Sequence, residues 1–179
     1  MQEDANPDVI VDYITGQAVA NVGAEANRQR VERYLVESKG YRREDVIVDA
    51  PIDVNIDGEV YRSVVDLVVQ IEDRPVMAVK CAAGSLGSRE REIVSAARLY
   101  HEAVLPLAVV SDGTDATVLD GATGKPTGRG LEAIPSRSEA VKLAQAAPLP
   151  PLSPDRLEKV KLVFRSYDAM NVNVRGRSR

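Results

Sequence analysis

The stretch Arg62-Ser63-Val64-Val65-Asp66-Leu67-Val68-Val69, followed after a short break by Val76-Met77-Ala78-Val79-Lys80, constrains this chain more than any other. Both runs are valine-rich, which suits the half-buried, pleated surface of a sheet, and Glu72-Asp73-Arg74-Pro75 between them is turn chemistry. Together they read as a β-hairpin with an acid on one strand and a lysine on the next. Strand side chains alternate, so Arg62, Val64, Asp66, Val68 and Gln70 are expected on one face, and Val76, Ala78 and Lys80 on one face of the partner. A turn centred on Asp73-Arg74 then brings Asp66 close to Lys80.

The rest of the chain fits around that hairpin. Val31, Tyr34, Leu35 and Ser38 recur at helical spacing within about Asn21 to Lys39, and Gly40 follows as a C-cap. Val46-Ile47-Val48 and Ile52-Asp53-Val54-Asn55 read as one interrupted strand, or two joined at Pro51. Asp57-Gly58 is a strong hairpin turn before a strand from Glu59 to Ile71. A second helix is expected over about Ser88 to Ala103, with Ile93, Ala96, Ala97 and Tyr100 as its apolar stripe. Leu105 to Val110 is a buried strand, Ala116 to Asp120 a short one, and Gly121 to Gly124 a turn. Ser136 with Glu139 makes a capping box for a helix to Ala146. The order α-β-β-β-α-β-β-α describes an α/β domain around a mixed sheet, assigned to residues 1–147. Residues 148–154 are proline-rich and read as a stiff linker. Residues 155–170 form a C-terminal helix, with Leu157, Val160, Val163 and Phe164 on one face, that either packs back or serves a partner. Residues 171–179 are a basic tail.

Composition narrows the class. With 179 residues and 44% apolar content, the chain can bury one sizeable core, built from aliphatics because aromatics make up only 4%. A single cysteine excludes an internal disulfide and suits a reducing, cytoplasmic setting. No apolar run approaches 18 residues, so no membrane span is expected, and the acidic start lacks the order of a signal peptide. The net charge of −4 argues against a broad, sequence-blind grip on nucleic acid, although an average does not show a local basic cleft.

An Asp and a Lys on neighbouring strands suit metal-ion phosphodiester chemistry. Asp66 would bind Mg²⁺, the Val79 carbonyl would add a second oxygen, and Lys80 would orient or deprotonate a water or offset charge at the phosphate. The same two residues also suit an ordinary ion pair across a hairpin. In sites of the Asp…(Asp/Glu)-x-Lys kind, Ala78 stands where the second acid belongs. Gly121-Ala122-Thr123-Gly124-Lys125-Pro126-Thr127 lacks the spacing and the following helix of a phosphate-binding loop and reads as a turn. His101 has no ligand-spaced partner, and Cys81 reads as a small buried residue.

The residues around the hairpin resemble a specific family. Gly23-Ala24-Glu25-Ala26-Asn27-Arg28-Gln29-Arg30, the exit Tyr34-Leu35-Val36-Glu37-Ser38-Lys39-Gly40-Tyr41, and Val46 to Ile52 lead into Arg62-x-x-x-Asp66-Leu-Val-Val and Pro75-Val-Met-Ala-Val-Lys80-Cys81. Tyr100, Pro106 to Gly113 and Leu119 to Lys125 continue the pattern. Over about Val11 to Gly130 the chain resembles the N-terminal nuclease domain of type I restriction enzyme R subunits. That resemblance implies a restriction-endonuclease-like mixed β-sheet flanked by helices and Mg²⁺-dependent cleavage of DNA. By it, Asp66 is the metal aspartate, Lys80 the catalytic lysine and Glu25 the acid on the first helix that approaches the site. Partners implied are DNA, restriction-modification subunits or a second copy of the chain. Two departures stand out: Ala78 replaces the family glutamate, and Ala96 stands where a glutamine often precedes the aromatic of the second helix. Asp66 alone with a carbonyl would bind Mg²⁺ weakly, so the site is expected to be impaired unless Glu25 completes it, with Glu90 or Glu92 as migrated acids. The alternative is a catalytically inactive scaffold that acts as a protein-interaction module.

Overall fold

The structure, a computed structural model, describes residues 8–171, so the basic tail lies outside the described residues apart from its first position. In chain order the elements are β1 (Val9–Val11), β2 (Ala18–Ala20), α1 (Glu25–Glu37), β3 (Val46–Ile56), β4 (Glu59–Ile71), β5 (Arg74–Cys81), α2 (Glu90–Leu99), β6 (Leu107–Ser111), β7 (Ala116–Asp120), β8 (Pro126–Arg129), α3 (Arg137–Gln145) and α4 (Pro154–Asn171). The fold is α/β. β1 and β2 form a separate hairpin, and the other strands form a six-stranded mixed sheet in the order β3-β4-β5-β6-β7-β8. Only the β5–β6 pair is parallel, because α2 carries the chain across between them, and the other neighbours in this sheet are antiparallel. The hairpin β1–β2 and the edge strand β8 add to the order read from the sequence. α2 is shorter than expected, and the interrupted strand is continuous across Pro51, which an edge strand tolerates.

Two tight turns set the hairpin geometry. Asp57 and Gly58 have φ of 52° and 83°, and Glu72 and Asp73 have 49° and 62°. Consecutive left-handed residues give the two-residue turns whose twist matches paired strands. The second turn therefore falls one residue earlier than Asp73-Arg74. A bulge between Val69 and Gln70 shifts the pairing back by one, so Leu67 faces Val79 and Asp66 comes level with Lys80. The same bulge turns Val76 into the opposite layer from Ala78.

The sheet separates two cores. Val31 and Leu35 of α1 and Ala140 and Ala144 of α3 pack with Leu67, Val69, Met77 and Val79. Ile93, Ala96 and Ala97 of α2 and Phe164 of α4 pack with Val68, Ala78, Ala108 and Val110 on the other face. α4 thus lies back against the domain, with Val160 and Phe164 buried and with Tyr61 and Ser63 donating to Asp168 at 2.5 and 2.8 Å. At α3 the Ser136 and Glu139 capping box forms as its spacing predicts.

Strict alternation also fails away from that bulge. Val46 and Val48 belong to the α1–α3 layer, yet Ala50, Ile52, Val54 and Ile56 all belong to the α2–α4 layer. On β4, Val65 joins the α2–α4 layer while Leu67 and Val69 join the other. Val64 is consequently exposed and Val68 is fully buried, rather than both sharing a face. The reversal occurs between the pairs Val48–Leu67 and Ala50–Val65, where Asp49 lies level with Asp66 and takes a φ of 48°. No residue is inserted in either strand. The β3–β4 ribbon swaps faces at Asp49 and Asp66.

Candidate active site

Asp66 sits at that swap, 2% exposed, and its Oδ2 accepts the Cys81 N–H at 2.8 Å. The carboxylate is therefore oriented by backbone of the next strand. Lys80 Nζ lies 3.6 Å from Asp66 Oδ2, as the strand pairing leads one to expect, and 3.0 Å from Glu92 Oε1. Glu92 reaches the lysine from α2, is 4% exposed, and also has Arg89 Nη1 at 3.5 Å from its Oε2. Desolvating a carboxylate costs several kcal/mol unless it is paired and hydrogen-bonded, so two buried acids need the cations beside them. Val79 is buried in the ladder between Leu67 and Val109.

Glu25 belongs to a second cluster. Its Oε1 accepts from Arg28 Nε and Nη2 at 3.0 and 2.7 Å and from Gln29 Nε2 at 2.8 Å. Arg28 also lies 3.3 Å from Asp12, 3.8 Å from Glu32 and 3.3 Å from Asp49. Four carboxylates thus share one buried guanidinium. Burial acts to lower the Arg28 pKa, but the bond from Glu25 and the charges of Asp49, Glu25 and Glu32 outweigh it and hold the arginine firmly protonated. Burial, then the Asp12 charge, push Glu32 up to about 8. Asp12 moves the other way: burial raises it, but bonds from Thr15 and Gln29, with the Arg28 charge, bring it below the usual range.

The two clusters adjoin. Asp49, paired to Arg28, lies level with Asp66, and the buried Cys81 senses Asp66 and Lys80 as well as Arg28 and Glu32. Burial, followed by the Asp66 charge, pushes the Cys81 thiol well up, so it is a poor nucleophile and a packing residue, as its sequence context suggests. Among the described residues no three His, Cys, Asp or Glu side chains are grouped to hold a metal ion. The structure brings Asp66 and Lys80 together, and turns Glu25 toward Arg28 and Gln29. It also buries Glu92, a residue that reads more readily as a solvated helix charge. The signal for it was present: Glu92 lies one turn before Ala96, on the same helix face as the buried stripe. Glu90 is only half-buried.

Residues 23–135 match the family described as the type I restriction enzyme R protein N terminus (HSDR_N). The chain belongs to that family. The matched span runs from just before α1 to just before α3, and so contains Glu25, Asp66, Lys80 and Glu92 of this R-protein N-terminal domain. The β1–β2 hairpin, α3 and α4 lie outside it. No curated protein and no solved structure matches the chain. Among the described residues no helix of this family member is long and apolar enough to cross a membrane.

Proposed function

We propose that this domain has the restriction-endonuclease-like fold and is the nuclease module of a type I restriction enzyme R subunit. In this reading it works in the cytoplasm, binds DNA beside restriction-modification subunits and hydrolyses phosphodiester bonds with Mg²⁺. The observation that carries the reading is the Asp66–Lys80 contact at 3.6 Å on neighbouring strands of a member of the R-protein family. The donor set around it suits Mg²⁺, which prefers hard oxygen ligands: the Asp66 carboxylate and a second buried carboxylate on the same lysine, with the Val79 carbonyl on the neighbouring strand as a further oxygen.

Asp66 and the Val79 carbonyl would hold the ion, and Glu25 would reach it only by leaving Arg28 and Gln29. When bound, Mg²⁺ activates water and offsets charge on the phosphate. Asp66 needs little reorientation, since the Cys81 N–H already fixes one of its oxygens. Lys80, with its side chain only 15% exposed, orients the attacking water and places a positive charge at the scissile phosphate. The inactive-scaffold alternative draws on Ala78. It would use α4 for a partner, but the Val160 and Phe164 face of α4 is already buried on the domain.

The test is plasmid nicking with Mg²⁺ or Mn²⁺. Metal-dependent nicking is expected, with Asp66→Ala and Lys80→Ala each lowering the rate about 100-fold or more while the fold is retained. Absence of metal-dependent nicking, or nicking that both variants leave intact, would overturn the nuclease reading.

A further inference from the structure

We propose that Glu92 supplies the second metal carboxylate that Ala78 cannot, so that the ion-binding pair of this domain is Asp66 of β4 and Glu92 of α2. The proposal rests on the nuclease reading and names the residue that would complete its site. Ala78 is fully buried on β5 in the layer that contains Ile93, Ala96 and Ala97 of α2. A methyl group at that position offers no ligand. α2 lies directly over this face, and one residue before Ile93 it sends a carboxylate down to the lysine two positions along the same strand.

The contacts give the arrangement its meaning. Lys80 Nζ touches Glu92 Oε1 at 3.0 Å and Asp66 Oδ2 at 3.6 Å, so a single cation sits between two acids that come from different elements. That is the place a divalent ion would take, with the ammonium displaced outward toward water and phosphate. Mg²⁺ dehydrates reluctantly and is usually bound by one or two carboxylates, several waters and the substrate phosphate. Two carboxylates are therefore enough, and the absence of a group of three acids among the described residues is no obstacle. A purely structural pair has a simpler solution, since an apolar residue at position 92 would bury beside Ile93 without any desolvation cost.

The experiment is Mn²⁺ binding to the full chain, followed by calorimetry and by electron paramagnetic resonance of the free ion, with folding checked by circular dichroism. Wild-type protein binds Mn²⁺, Asp66→Asn and Glu92→Gln each weaken it about 10- to 100-fold, and the Ala78→Glu/Glu92→Gln double variant restores it. Should Glu92→Gln fail to fold, Glu92→Asp, which keeps the charge and withdraws the carboxylate by one methylene, carries the same comparison. If Asp66→Asn weakens binding but folded Glu92→Gln binds as wild type does, the Glu92 assignment falls and the nuclease reading stands. If wild-type protein binds no Mn²⁺, both fall.

Discussion

Two buried charge clusters lie side by side in this domain, and they are built to opposite proportions. Around Lys80 two carboxylates face two cations, Lys80 and Arg89, and the lysine retains a path to solvent. Around Arg28 four carboxylates surround one guanidinium, and three of the five partners, Asp12, Arg28 and Glu32, are almost completely buried. The first arrangement gathers charges from two strands and a helix onto a movable ammonium, which suits binding and release of another cation. The second fixes a rigid guanidinium to α1 and to the β1–β2 hairpin through Asp12 and through the Ile14 N–H on Glu32. Acid excess alone does not mark a site; what the central cation is able to do decides it.

Arg28 is where the difference between the two clusters should be greatest. Arg28→Ala strands the ionised Asp12 in the interior without its counter-ion and removes the buried partner that Glu25 and Glu32 share, and urea denaturation should show a loss of about 3–5 kcal/mol. A loss below about 1 kcal/mol would mean that the α1 cluster is not what holds the hairpin down. Glu32 gives the next largest effect, through pH. Its carboxyl is raised from the ordinary 4.5 to about 8, so the folded state keeps a proton that the unfolded chain releases. Its contribution is therefore full below about 4.5, declines as pH rises toward about 8, and changes no further above that. The slope should be at most about 1.4 kcal/mol per pH unit, and Glu32→Gln should flatten it in unfolding curves taken from pH 5 to 9. A wild-type profile without that decline would place Glu32 outside the buried cluster.

Asp49, between the two clusters, should respond least. It bridges the clusters, pairing with Arg28 while lying level with Asp66, and half of its side chain is exposed. Asp49→Asn keeps a residue that tolerates positive φ and should cost less than about 1 kcal/mol in thermal unfolding. Metal-dependent nicking that falls while stability holds would assign Asp49 to the Lys80 side. A melting shift with unchanged nicking assigns it to Arg28.

Much of this was readable from the chain because local chemistry and tertiary structure agree there. The strands Glu59–Ile71 and Ala116–Asp120, the Asp57-Gly58 turn and the Ser136 cap fall where valine runs, left-handed turn residues and a capping box place them. The Asp66–Lys80 neighbourhood followed from the same pairing. What escaped did so for identifiable reasons. β1 and β2 have three residues each, too few for any period to emerge, and their docking depends on charges sixteen or more residues away. β8 opens on Pro126 and reads as a continuation of the preceding turn. The face swap at Asp49 and Asp66 leaves the pairing in step while reversing the pattern, so alternation counted through it gives the wrong side. Glu92 is charged, and its place on the buried face of α2 is outweighed in the sequence by that charge until Lys80 and Arg89 are seen beside it.

Pro51 on β3 and Pro126 on β8 place a residue without an N–H in each outermost strand of the sheet. Neither border offers an unbroken row of donors and acceptors, and β3 is further bent at the left-handed Asp49. A second copy extending the sheet would meet a gap in its hydrogen bonding at either border, which is a safeguard against strand-by-strand aggregation. Any assembly through this domain would thereby be steered away from the sheet edges and toward its helices and loops.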